Sequence, residues 1–331
     1  MAHNTSLEAV AVPSGTVGLP ASWALPKRKR APLLSRLRRD RIMLLLALPG
    51  VLYLLLFIYL PQLGNVIAFE NYLPFVGYAS PWVGWANFQQ LFADQAFWQA
   101  VRNTAVISLL GLFLYFPAPI GLALLLNSLV STNVRRIVQS IVYLPHFISW
   151  VIIVTLFQQI FGGAGLIDHL LRNAGQPGLN IMSSPPLFKW MVTLQFVWKD
   201  TGWGTIIYLA ALLGIDASLY EAAAVDGAGR WRRLWHVTLP GIVGITLVLL
   251  ILRLGNILTV GFEQILLQRD GVGPAAGEVL DTFVYYHGIA GGQWGVAAAA
   301  GLLKGLFCLL LVLGANKLAH VFGQSGLMAR G

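Results

Sequence analysis

Six stretches of the chain are long, apolar and almost free of charge, and the polar residues gather between them. A helix needs about 20 predominantly apolar residues to cross the hydrocarbon core of a bilayer. On that criterion, spans are predicted near 42–60, 104–126, 138–160, 188–213, 239–261 and 293–316. The plainest is "IMLLLALPGVLYLLLFIYL". It lies beyond residue 40, is long enough to span and is followed by no small-residue cleavage site, so it reads as a retained helix and not a signal sequence. The chain thus divides into a basic amino-terminal segment over 1–40, a six-helix transmembrane domain over 41–318 and a tail over 319–331. Residues 1–26 are rich in Ala, Ser, Pro and Gly without a sustained apolar pattern, which predicts disorder.

Composition agrees with this pattern. Of 331 residues, 57% are hydrophobic and only 11% charged, and the mean hydropathy is +0.71, too apolar for an ordinary soluble surface. The class is an all-α integral membrane protein surrounded by membrane lipid. The net charge of +9 does not point to nucleic acid, because the basic residues flank apolar runs instead of gathering among aromatics on one face. It points to topology. Lys27, Arg28, Lys29, Arg30, Arg36, Arg38, Arg39 and Arg41 precede the first span, and basic flanks stay cytoplasmic. With six crossings, Arg135, Arg136, Arg230, Arg232, Arg233, Lys317 and Arg330 also fall inside, against Arg102, Arg172, Lys189 and Arg269 in the outer loops. Both termini are expected in the cytoplasm. The aromatic loop over 61–103 suits a segment lying along the outer interface. The lone cysteine, Cys308, sits in an apolar run and reads as a small buried hydrophobe.

One loop, 216–238, breaks the pattern with "SLYEAAAVDGAGRWRRLWHVTLPGI". Ser218 followed by Glu221 has the capping-box spacing, so a short helix is predicted to start near Leu219. Gly227 and Gly229 stop it, since glycine tolerates the left-handed conformation found after helix ends. A second short helix is predicted from Arg230 to Thr238, with Trp231, Leu234, Trp235 and Thr238 on one face, and Pro240 opens the next span. Helices this short need something to pack against.

The segment "EAAAVDGAGRWRRLWHVTLP" resembles the E-A-A, three residues, G signature, ending in L-P, of permease subunits from binding-protein-dependent ABC importers. Glu221, Ala222, Ala223, Asp226, Gly227, Leu239 and Pro240 carry the match. The stretches "FPAPIGLALLLN", "YLPHFISW", "WKDTGWGTIIYLAALLGID" and "GFEQILL" extend it toward the maltose-permease superfamily, to the branch importing oligosaccharides and polysaccharide fragments, alginate importers included. The resemblance implies the fold of a type I ABC importer permease, with the loop as a cytoplasmic coupling helix seated in a cleft of an ATPase subunit. Glu221, Ala222, Ala223, Asp226, Gly227 and Arg230 would make that contact.

No lysine follows a glycine, so the phosphate-cradling G-x-x-x-x-G-K-[ST] loop is absent from this sequence. The chain is read as a non-catalytic subunit that binds no cofactor or metal, with ATP and magnesium held by two partner ATPases. The resemblance further implies a second, nonidentical permease and an extracytoplasmic solute-binding protein. The outer loops are mildly acidic and offer no funnel for an anionic polymer, which agrees with capture by a separate protein. Charges at membrane depth face a wet cavity or a partner. Lys199 and Asp200 read either as a structural ion pair or as the point where the fourth span unwinds, at Thr201 and Gly202. Arg253 and Lys304 read as attracting a uronate carboxylate, or as snorkelling or pairing with a second permease. Sugar recognition pairs aromatic faces with hydrogen-bonding tips, for which Tyr143, His146, Trp198, Trp203, Asn256, Glu263 and Gln264 are candidates. "LPHF" reads equally as a proline kink. The rival classes are an ion-coupled secondary transporter, using Lys199, Asp200 and Arg253, and a membrane enzyme, for which no Ser/His/Asp set or H-E-x-x-H pair stands out.

Overall fold

The computed structural model describes residues 40–321. The amino-terminal segment through Arg39, for which disorder was predicted and which carries seven of the basic residues assigned to the inner side, lies outside the described residues, as does the tail end with Arg330. Among the described residues the one extended pairing is an isolated antiparallel bridge between Glu70 and Trp82; regular structure is otherwise helical.

The chain divides after Gln62 into two units. In the first, α1 (Arg41–Leu54) continues through a wide π turn at Leu55–Tyr59 into Leu60–Gln62. Pro61 has no N–H for the carbonyl four residues back, and a wider turn is how a helix re-pairs its backbone around that gap. The side chains of α1 are exposed and apolar all round, as a span in lipid requires.

The second unit opens with Leu63–Phe69, wound as a 3-10 helix, and continues through α2 (Ala86–Ala93), α3 (Gln95–Leu114), α4 (Pro117–Ser128), α5 (Thr132–Tyr143), α6 (Trp150–Phe161) and α7 (Leu166–Asn173). The long α8 (Pro185–Leu213) then bends by 66° into α9 (Ala217–Val225). After α10 (Arg230–Arg233), a π turn at Leu234–Thr238 and α11 (Leu239–Gly255) come α12 (Phe262–Val272) and α13 (Trp294–Val321). Five stretches among the described residues are long and apolar enough to cross a membrane, and the bent pair α8–α9 supplies a sixth if counted as one.

Four expectations need correcting. The span predicted over 138–160 is not one helix: α5 ends at Tyr143, Leu144–Phe147 tightens into a 3-10 turn, and Ile148 and Ser149 are extended before α6 begins. Pro145 cannot donate to the helix, and Ser149 caps the next one by accepting from the Ile152 N–H. The fourth span, by contrast, runs unbroken through Thr201 and Gly202. The second short helix of the charged loop is not separate, because Arg230–Gly255 is continuous. As at Pro61, the π turn stands two residues before a proline, Pro240, and absorbs the missing donor without ending the helix. Finally, α13 runs three residues past the predicted start of the tail at 319.

Helix α8 is the spine of the second unit, packing on α3, α4, α5 and α11. Two glycines let neighbours approach it. A Cβ on Gly202 would stand 2.2 Å from the Val142 carbonyl oxygen, and one on Gly204 would meet Pro119 at 2.9 Å. One apolar cluster joins the 63–100 region to α13 through Ala68, Phe88, Leu91, Phe283 and Ala299, and another joins α4, α8 and α11 through Leu126, Tyr208, Leu212 and Ile242. Cys308 is free and buried, as expected.

Candidate functional site

The charged loop folds as a hairpin of two arms. Helix α9 starts at Ala217, two residues earlier than expected, and its cap is Asp216, not Ser218: the Asp216 carboxylate accepts the Ser218 N–H at 2.9 Å. Aspartate caps as well as serine and stands where the chain leaves the bend, so it takes the donor first. That bond holds the Asp216 carboxyl below its ordinary pKa. The helix closes as predicted, with Gly227 left-handed at φ +69° and the Ala228 N–H returning to the Ala223 carbonyl at 2.9 Å. Gly229 is extended, not left-handed.

No residue of α9 is buried, and Glu221, Ala222, Asp226, Gly227 and Arg230 are all exposed. The expected shared face of the second arm does not form: Trp231 and Trp235 point outward while Thr238 is buried and meets the Tyr220 hydroxyl at 3.0 Å. Between the arms lies a cleft of about 210 Å³ lined by Ala223, Asp226, Ala228, Arg232, Arg233 and His236. The short helix α9 thus stands exposed beside a continuous rod, with Ala222 and Ala224 outward and Ala223 toward the cleft.

At membrane depth, α8 grips the break between α5 and α6. The Lys199 ammonium donates to the carbonyls of Ile148 at 2.6 Å, His146 at 2.7 Å and Pro145 at 3.3 Å, and stands 5.5 Å from the Trp150 ring centroid. Nδ1 of His146 lies 2.6 Å from Oδ1 of Asp200, and since a carboxylate only accepts, that nitrogen carries the hydrogen. Lys199 and Asp200 are therefore not paired with each other. Each answers a group freed or turned by the break.

The rings of Tyr143 and His146 stack on Trp203, with centroids at 5.7 and 4.6 Å and planes within 12°. Their own centroids are 6.3 Å apart, too close to lie on opposite faces of the indole. Tyr143 and His146 thus back the same face of Trp203, whose side chain stays partly exposed.

Trp203 also lines a cavity of about 290 Å³, together with Tyr115, Phe196, Tyr208, Arg253 and Asn256. Arg253 lies over the Phe196 and Tyr115 rings, at 5.1 and 5.6 Å, which are themselves in contact at 4.6 Å, and it makes no ion pair among the described residues. Its Nε is buried without a hydrogen-bond partner. A guanidinium kept off lipid by aromatic faces, with donors to spare, is suited to a planar anion.

The other candidates stand elsewhere. Trp198 projects from α8 away from this cavity, edge-on to Phe157. Glu263 is exposed. Gln264 is buried in an amide network with Gln195, Gln268 and the Val192 carbonyl between α8 and α12, and lines a smaller neighbouring cavity with Phe196 and Arg253. Lys304 pairs within the chain with Asp281, so no second subunit is needed to neutralise it. Sequence reasoning passed over Tyr115 and Phe196. Phe196, Asp200 and Trp203 recur at helical spacing along one face of α8, a signal that was available; Tyr115 carries none, since it reaches Arg253 only through tertiary packing.

Residues 115–320 match the family described as binding-protein-dependent transport system inner membrane component. Protein LplB of Bacillus subtilis (strain 168) is 41% identical over 92% of this chain and 99% of its own length. The polygalacturonan/rhamnogalacturonan transport system permease protein YteP of the same organism is 43% identical over 91% and 94%. The crystal structure of a bacterial alginate ABC transporter in complex with an alginate pentasaccharide-bound periplasmic protein contains a chain 36% identical, covering 89% of this one and 99% of that one, with a TM-score of 0.81. The chain belongs to the family of binding-protein-dependent transport system inner membrane components.

Proposed function

We propose that this protein is the permease subunit of an ATP-driven importer of oligosaccharides or polysaccharide fragments, uronate polymers such as alginate among them, working by alternating access. The observation that carries the substrate reading is Arg253: a guanidinium at membrane depth, without an ion pair among the described residues, set over two aromatic rings in a cavity that Trp203 also lines. A pyranose ring stacks by its apolar face on the indole, Asn256 bonds hydroxyls, and Arg253 takes the carboxylate. The likeness to the alginate importer and to YteP supports an acidic substrate.

The chain carries no catalytic role in this reading. Two partner ATPases bind ATP and magnesium and hold α9 through Glu221, Ala222, Ala223, Asp226, Gly227 and Arg230. Their closure moves α9, and α8 passes the motion into the membrane. A second, nonidentical permease completes the pathway, and a solute-binding protein delivers sugar on the outer face. The protein sits in the inner membrane with both termini in the cytoplasm.

The test is uptake of a labelled uronic-acid tetrasaccharide by proteoliposomes holding the whole complex and its binding protein. ATP-dependent, saturable uptake that Arg253→Gln weakens for the acidic sugar is expected. Uptake that persists without ATP and collapses with an ion gradient would establish the secondary-transporter reading instead.

A further inference from the structure

Four residues within one stretch of α8 engage the same broken segment. Lys199 holds the carbonyls of Pro145, His146 and Ile148, Asp200 holds the His146 imidazole, Gly202 seats against the Val142 carbonyl, and Trp203 stacks on Tyr143 and His146. The count at Lys199 is telling. An ammonium has three hydrogens, and three carbonyls accept them. The Pro145 carbonyl also accepts the Ile148 N–H, but those of His146 and Ile148 stand at the break with no water to turn to in a membrane, and the lysine supplies their donors.

We propose that Lys199 and Asp200 are positioning residues for the transport site, fastening the 144–149 break to α8 so that His146 backs the indole of Trp203 where it lines the cavity. The proposal rests on the reading of that cavity as a sugar site. Lys199 is 8% exposed and lines neither cavity that Arg253 lines, so it acts on the sugar only through the break. The two residues are adjacent on a helix, about 100° apart around its axis, and therefore hold the break from two sides. Because α8 continues through the 66° bend into α9, the same fastening carries a displacement of the charged hairpin to the wall of the cavity. The broken crossing then moves with α8 instead of hinging freely at Pro145.

The experiment is a double-mutant cycle on uptake of the uronic-acid tetrasaccharide by the complete reconstituted complex, with rates normalised to assembled complex. Lys199→Met and Trp203→Ala are each expected to raise the apparent KM about fivefold to tenfold, and the double variant no further than the larger single effect. Asp200→Asn, which keeps the shape of the side chain, is the milder second probe and is expected to raise KM about threefold, again without adding to Trp203→Ala. A purely structural role would lower the yield of assembled complex and leave the KM and the normalised maximal rate unchanged; that result overturns the proposal. So do effects of Lys199 and Trp203 that multiply in full. If Trp203→Ala itself leaves KM unchanged, the sugar-site reading fails and the positioning role falls with it.

Discussion

The Tyr220 hydroxyl lies 3.0 Å from the Thr238 hydroxyl, and this contact ties the exposed helix α9 to the rod that carries the chain back into the membrane. The two residues stand on opposite arms of the hairpin, so the bond sets the angle at which α9 is offered to a partner. Tyr220→Phe removes it at a cost of about 1 kcal/mol. The expected outcome is an assembled complex that moves fewer sugars per ATP hydrolysed, measured by parallel uptake and phosphate release.

Gly227 has open space around its α-carbon, with nothing within 4 Å of an added Cβ, but its φ of +69° strains any L residue. Gly227→Ala should therefore be tolerated at about 1 kcal/mol, and Gly227→Val should cost clearly more because a branched Cβ crowds the left-handed conformation. Hydrogen exchange over α9 orders the variants. Equal exchange for alanine and valine would show that conformation does not limit this position.

Gly202 presents the opposite case. A Cβ there has ordinary backbone dihedrals but meets the Val142 carbonyl oxygen, which cannot step aside without moving the end of α5. Gly202→Ala is expected to destabilise by about 1–3 kcal/mol, whereas Gly301→Ala, with nothing within 4 Å, is neutral. Thermal aggregation of the detergent-solubilised complex measures both.

Arg253→Gln keeps a hydrogen-bonding tip and removes the charge. Loss of a charge-assisted contact of about 1.5–3 kcal/mol predicts a KM for the acidic tetrasaccharide at least about tenfold higher, with a neutral tetrasaccharide unaffected. Equal losses for both sugars would remove the carboxylate from the account.

The Asp216 cap has a definite pH dependence. The Ser218 N–H lowers the folded pKa below the unfolded value of about 3.9, so the cap's contribution is present above that value and is lost as pH falls through the folded one. Protection of the α9 amides should be flat between about pH 5 and 8 and fall only in stronger acid. Asp216→Asn retains the cap and abolishes the dependence, while Asp216→Ala weakens the helix at every pH; exchange rates across a pH series report each.

Legibility in the sequence followed the range of the interaction. The left-handed Gly227 and the exposed hairpin depend on turn chemistry within a few residues and are where the sequence places them, whereas the crossing predicted over 138–160 is broken at 144–149. The cap moved from Ser218 to Asp216 because both residues satisfy the same local rule and only the path of the preceding bend separates them. The helix through Pro240 stayed whole because a wide turn, invisible in composition, re-paired its backbone.

What the chain decides by itself is that it spans a membrane several times and carries one charged hairpin, since hydrophobic length and glycine chemistry are local quantities. The tertiary structure decided which buried charges are spoken for. Lys199 turns to carbonyls some fifty residues away, Asp200 to His146, Lys304 to Asp281, and Arg253 to ring faces of Tyr115 and Phe196. A buried charge takes whichever partner the packing brings within about 3 Å, and proximity of that kind belongs to the fold and not to any window of sequence.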